Sequence, residues 1–387
     1  MNKSKISYFI KHSSVIKALY VGCGSLLLRF ISLFIKQDSS LVLFVANIGK
    51  NFSGSPYSIY EFIQSHDEYS QYHCIWAFNE PKKYADLNLD TVKFDSIKYF
   101  VTALKAKYWV TDVNIERSLK FKKRSTVYLN TWHGVALKTI GNDDVNSGRY
   151  DYSNIDYLCV SGEHDKRVYR TALNAGEKSF LECGMPRNDS LFHVTQAERK
   201  SIRDRLGIGD DKKVILYAPT WRDSENHGGS FDLTIPADFN KWHKVLGDKY
   251  IILFRAHDRT TKVMNMQFDG FIRNYATYEP LNDLLIACDL LITDYSSIVF
   301  DYSILSKPFI CFGYDYDRYV KERGVYFDAE KVYPGGVLRT EGEVLHKILT
   351  LDYDAESESM KEFNKLFMEY SHGTATETCV KNLLGKT

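Results

Sequence analysis

Beyond Ser40 the chain alternates short apolar runs with polar or helix-forming stretches. Leu41 to Asn47, His73 to Phe78, Tyr108 to Asp112, Thr126 to Trp132 and Tyr157 to Ser161 read as strands that are apolar on both faces. Strands of that kind, separated by helices, belong to a parallel sheet covered on both sides. After a charged, helical stretch around residues 196–213 the rhythm restarts with Val214 to Trp221, Tyr250 to His257, Asp289 to Ser297 and Pro308 to Gly313. An α/β chain of two doubly wound halves follows, with boundaries at 39–195 and 196–387. The 387 residues also exceed what one ordinary core holds. In such sheets ligands sit at the carboxyl ends of strands, so the cleft between the halves is the expected site.

Ahead of the first strand, Val15 to Ile35 is mostly apolar, interrupted by Lys17 and Arg29 and preceded by Lys3, Lys5, Lys11 and His12. No small-residue cleavage site follows it, which argues against a signal peptide. A charged Arg29 costs a few kcal/mol near the centre of a bilayer, and a basic amino terminus kept in the cytosol would send everything after a single span outside. Residues 1–38 are therefore expected to form a membrane-associating helix lying in the interface, the alternative being a helix packed on the first half.

Charge adds an exclusion. Lys+Arg 50 against Asp+Glu 49 gives no general pull toward nucleic acid. The seven cysteines are scattered and mostly embedded in apolar runs, so they read as reduced core thiols. Their spacing contains no paired C-x-x-C, and neither a metal site nor a cofactor is expected.

Four strand ends carry the candidate chemistry. In Asn130-Thr131-Trp132-His133-Gly134-Val135 an apolar run ends in a histidine followed by glycine. His133 there serves as a general base or as a capping, core-satisfied residue, and Gly134 permits close approach of a substrate. Ala218-Pro219-Thr220-Trp221-Arg222-Asp223 offers a hydroxyl and a guanidinium suited to phosphate. Phe254-Arg255-Ala256-His257-Asp258 presents a second histidine, which faces the first across the cleft or lies on an unrelated surface. Thr293-Asp294-Tyr295-Ser296-Ser297 precedes an apolar helix, where Ser296 or Ser297 caps the helix and its amino terminus suits a diphosphate. No G-x-S-x-G elbow surrounds these serines and no Walker loop is present, which disfavours hydrolase and P-loop chemistry.

In this order the motifs resemble the CDP-glycerol:poly(glycerophosphate) glycerophosphotransferase family. The likeness runs from about Ser40 to near the carboxyl terminus. It rests on Ser53-Gly54-Ser55-Pro56 with Tyr60-Glu61, Trp132-His133-Gly134 with Leu137-Lys138, and Gly184-Met185-Pro186-Arg187-Asn188-Asp189. It continues through Ala218-Pro219-Thr220-Trp221-Arg222, Arg255-Ala256-His257, Thr293-Asp294-Tyr295-Ser296-Ser297 with Phe300-Asp301, Lys307-Pro308 and Glu322-Arg323-Gly324. Val135-Ala136 stands where the family commonly has Thr-Pro, and His372 where an acidic residue is usual. These departures bear on the acceptor more than on the reaction.

The resemblance implies a GT-B architecture of two Rossmann-like domains, with the donor held by the second. It implies transfer of glycerol phosphate or ribitol phosphate from CDP-glycerol or CDP-ribitol to a lipid-linked glycan acceptor, with release of CMP, at the inner face of the cytoplasmic membrane. A GT-B glycosyltransferase using a nucleotide sugar is the alternative. Under the first reading His133 is the base and His257, backed by Arg255, binds the diphosphate. Thr220, Arg222, Ser296 and Ser297 cradle its oxygens and Asp294 orients them. Gly134, Lys138, Arg187 and Arg323 fall on the acceptor side or in the cleft, no metal takes part, and assembly into a homo-oligomer stays open.

Overall fold

The computed structural model describes residues 14–145, 147, 149–220, 226–227, 230–256, 260–263 and 266–385. Of the sequence-predicted site residues, Arg222 and His257 lie outside the described residues.

The first sheet has seven parallel strands: β1 (Asp38–Val45), β2 (His73–Phe78), β3 (Thr91–Lys93), β4 (Ala106–Thr111), β5 (Val127–Asn130), β6 (Tyr157–Val160) and β7 (Phe180–Glu182). They lie in the order β3-β2-β1-β4-β5-β6-β7, so the winding reverses between β1 and β4. The second half begins with β8 (Lys213–Ala218). A small separate sheet follows, in which β10 (Ser230–Leu233) pairs with β9 (Asn226–His227) on one side and β12 (Thr260–Val263) on the other. The main second sheet adds β11 (Tyr250–Phe254), β13 (Ile272–Asn274), β14 (Leu290–Thr293), β15 (Phe309–Phe312) and β16 (Val337–Leu338). All its pairings are parallel, in the order β13-β11-β8-β14-β15-β16, and its winding reverses between β8 and β14. Val42 to Val45 and Ile215 to Leu216 are wholly buried, as strands covered by helices on both faces must be.

Two features depart from a simple division at residue 196. The loop after β5 pushes Val135 and Leu137 into the core of the second half. In the other direction, the helix Ala375–Leu384 returns to the first half, where Ala375, Cys379, Val380 and Leu383 pack with β-strand residues such as Phe44 and Leu129. A helix's own pattern dictates that it bury one face, and says nothing of which half supplies the partner.

The first helix, Ser14–Ser32, lies against the first half. Gly24 meets Leu119, Ser25 Oγ accepts the Lys120 N–H at 2.9 Å, and Arg29 Nε donates to Lys120 O at 2.7 Å. Leu28, Ile31 and Ile35 join that core, while Leu26, Leu27, Phe30, Leu33 and Phe34 face outward. Among the described residues no helix is long and apolar enough to cross a membrane.

Candidate active site

A single cleft of about 3720 Å³ runs between the halves and is lined by both. That is several times the roughly 300–1,000 Å³ of a pocket for one small ligand, so it has room for two substrates at once. His133, Lys138, Arg187, Thr220, Arg255, Ser296, Ser297 and Arg323 all line it.

His133 follows β5 on a loop that Trp132 turns with a left-handed φ of 52°. The imidazole stacks on the Trp132 ring, centroids 4.3 Å apart. Its Nδ1 lies 2.8 Å from the main-chain carbonyl of Asp112, an acceptor only, so Nδ1 carries the proton and donates. Nε2 of the neutral ring is thereby left with the lone pair a base needs, on a ring that remains open to the cleft. The walls of the cleft desolvate the imidazolium, and the cations of Arg187 and Lys138 repel it, so the pKa falls below its ordinary value.

Gly134 is required by contact with the opposite half. Its φ is 148°, and a Cβ there would stand 2.7 Å from Ser297 Oγ. His133 is thus one residue from the point where the first half meets Ser297 of the second. Nearby, Arg187 donates to Asp301 Oδ2 at 2.7 Å, and Asn188 Nδ2 donates to Asp301 Oδ1 at the same distance. Asp301 is buried, and the pair ties the first half to the helix Ile298–Ser303 of the second. Lys138 forms an antiparallel bridge with Val325, and Thr139 N donates to Gly324 O at 3.1 Å beside Arg323. These contacts fix the loop after His133 to the second half.

On the facing side Asp294, buried at the end of β14, organises the strand end. Its Oδ1 accepts the Thr220 N–H at 2.9 Å, the Thr220 hydroxyl, and the Tyr295 N–H at 2.7 Å. Ser296 Oγ accepts the Ile298 N–H at 3.3 Å, whereas Ser297, at the formal cap position, makes no side-chain cap bond. The helix that follows is six residues long, too short for a sizeable dipole, so any anion affinity here rests on the hydroxyls and main-chain N–H groups. Arg255 donates to Tyr275 O at 3.1 Å, to Tyr278 O, and to Glu279 Oε1 at 3.1 Å, so its guanidinium braces the 275–279 loop.

One residue escaped the sequence reading. Asp112 lines the cleft at the end of β4, and its Oδ1 accepts the Asn47 N–H at 2.9 Å. Burial pushes its carboxyl up to about 6, against the opposing pull of the Asn47 N–H and of Arg187. A signal was available: Thr111-Asp112 repeats the Thr293-Asp294 dipeptide at the corresponding strand end.

Known proteins share this architecture. The family model for CDP-glycerol:poly(glycerophosphate) glycerophosphotransferase matches residues 27–385. A teichoic acid poly(glycerol phosphate) polymerase of Bacillus spizizenii is 30% identical over 99% of this chain and 100% of its own length. The polymerase of the same description from Bacillus subtilis is 34% identical over 89% of this chain, which spans 50% of that longer relative. The solved structure of the wall teichoic acid polymerase TagF superposes with a TM-score of 0.81 at 29% identity, covering 99% of this chain and 98% of the other. A histidine variant of TagF soaked with CDPG gives 0.81 at 30% identity over 92% of this chain and 91% of that one.

Proposed function

Because the chain belongs to the CDP-glycerol:poly(glycerophosphate) glycerophosphotransferase family, we propose that its cleft moves glycerol phosphate or ribitol phosphate from the CDP-activated polyol to a hydroxyl of a lipid-linked glycan. The acceptor oxygen attacks the β-phosphorus, the bond to the bridging oxygen breaks, and CMP departs as the phosphodiester forms. Such a transfer needs a base, positioning and neutralisation of spreading charge.

The observation that carries this reading is the tautomer of His133. With Nδ1–H given to Asp112 O, Nε2 takes the hydroxyl proton, and the depressed pKa keeps the ring neutral at the start of the reaction. Ser297 stands across Gly134 and Ser296 lines the cleft beside it to receive phosphate oxygens, Thr220 is set in place by Asp294, and Arg187, held by Asp301, lines the same cleft. In this proposal the transfer proceeds without magnesium, and His257 and Arg222, outside the described residues, serve the donor. The test is CMP release by the purified chain with CDP-glycerol, and separately CDP-ribitol, plus a lipid-linked disaccharide. CMP from one donor, dependent on acceptor, is the expected result and names the polyol. Silence with both donors, alongside turnover of a nucleotide sugar, would overturn the assignment.

The lipid acceptor brings the enzyme to the cytoplasmic face of the membrane as a peripheral protein. Leu26, Leu27 and Phe30 on the first helix, with Leu33 and Phe34 just past its end, face outward, and Lys122, Lys123 and Arg124 line the cleft. Phe30→Ser with Phe34→Ser should weaken sedimentation with anionic vesicles at least several-fold. Unchanged binding would remove the helix from this role.

A further inference from the structure

Three cysteines converge where the returning helix meets the first sheet. Cys159 lies in β6, Cys183 just past β7, and Cys379 in the helix Ala375–Leu384. The Cys159 and Cys379 sulfurs are 3.3 Å apart, those of Cys183 and Cys379 are 4.0 Å apart, and all three fall within 4.8 Å of one another. Each is buried and free of disulfide. Among the described residues no other group of three His, Cys, Asp or Glu side chains converges in this way. Sequence spacing gave no hint of it, because 196 and 220 residues separate the partners along the chain.

A metal held at about 2.3 Å from each of three thiolates sets the sulfurs about 4 Å apart, so shifts of under about 1 Å complete the triangle. We propose that Cys159, Cys183 and Cys379 bind one soft, thiophilic metal ion, with zinc the favoured occupant, and that it staples the last helix to the first sheet. Three sulfurs suit such ions and reject magnesium or calcium. Each sulfur releases its proton to solvent as its bond to the metal forms. A divalent ion then leaves one net negative charge in the core, and a monovalent ion would leave two, which burial disfavours. The staple ends beside the cleft, for the same helix starts with the Ala375 and Thr376 N–H groups bound to Asp189, two residues from Arg187.

The test uses the full chain, reduced and stripped with chelator, titrated with zinc against a chromophoric competitor, with cuprous ion as a second arm. Expected are one zinc per chain and a three-sulfur shell by X-ray absorption. Affinity should fall at least about a hundredfold in Cys379→Ser and in Cys183→Ser, and stay unchanged in Cys288→Ser, a buried thiol elsewhere. A wild-type shell dominated by nitrogen or oxygen, or no binding at all, overturns the site even if the variants fail to fold. Binding of cuprous ion alone overturns the divalent assignment. None of these readouts uses transferase activity, so the site stands or falls apart from the proposed function.

Discussion

The two halves close their switch points with the same device and put it to different uses. In the first, Asp112 lies one residue past β4 and accepts the N–H of Asn47, two past β1, at 2.9 Å. In the second, Asp294 lies one residue past β14 and accepts the N–H of Thr220, two past β8, also at 2.9 Å. The main-chain carbonyls diverge: that of Asp112 receives His133 Nδ1 at 2.8 Å, that of Asp294 the Cys311 thiol at 3.5 Å. The first half therefore holds the His133 ring through main chain, and the second builds its strand end around a carboxylate. Side-chain substitutions at the paired aspartates should accordingly have unequal effects, and the residue each aspartate serves should matter in a different way.

The largest effect is expected at His133. Removing a positioned base typically costs a hundredfold to ten-thousandfold in rate, so His133→Ala should lose about that much in kcat while melting as the wild type does. The base must be neutral, and its pKa lies below the ordinary His value of about 6.5. The wild-type rate should thus rise with pH along a limb centred below that value and be flat through neutrality. A limb centred well above 7, or wild-type turnover by the variant, would remove the assignment.

The second test bears on the carboxylate. Asp294→Ala leaves the buried Thr220 and Tyr295 N–H groups without the acceptor they share, costing about 2–4 kcal/mol of stability in urea unfolding. If the proposed donor side is right, the KM for donor should rise with kcat little changed. If Asp294→Ala proves no more costly than a change at Asp112, the contrast between the halves collapses.

How much of this could be read from sequence follows the range of each interaction. The long central strands declare themselves, because a run such as Leu41 to Val45 is apolar at successive positions only if both faces are covered. The short outer strands β3, β7, β13 and β16 have too few residues for any period to register. Strand-end motifs supplied residues that line the cleft, since a doubly wound sheet delivers those ends to one edge. What stayed hidden depends on pairings across the chain: the return of the last helix, the triad of cysteines, and the use of Arg255 to brace a loop rather than face the cleft freely. Asp112 is intermediate, visible only once the Thr-Asp repeat is noticed.

The smallest effect is expected at Asp112 itself. Asp112→Asn keeps the main-chain carbonyl that fixes the His133 tautomer, and its amide oxygen still accepts the Asn47 N–H. Turnover should stay within about threefold, with the acid limb of the pH profile in place. Stability should change with pH in a definite direction. The folded-state pKa of about 6 is raised above the unfolded value of about 3.9, so the wild type is most favoured below the lower value and loses stability as pH rises through the upper one. The asparagine variant carries no such charge and escapes that loss. Urea unfolding of the two proteins at pH 4 and pH 7.5 should therefore give a difference that moves toward the variant by about 1–3 kcal/mol at the higher pH. A gap that moves the other way would mean that the Asp112 carboxylate is stabilised, not penalised, in the fold. A hundredfold loss of turnover would mean that this carboxylate touches substrate, making the first half as dependent on its aspartate side chain as the second.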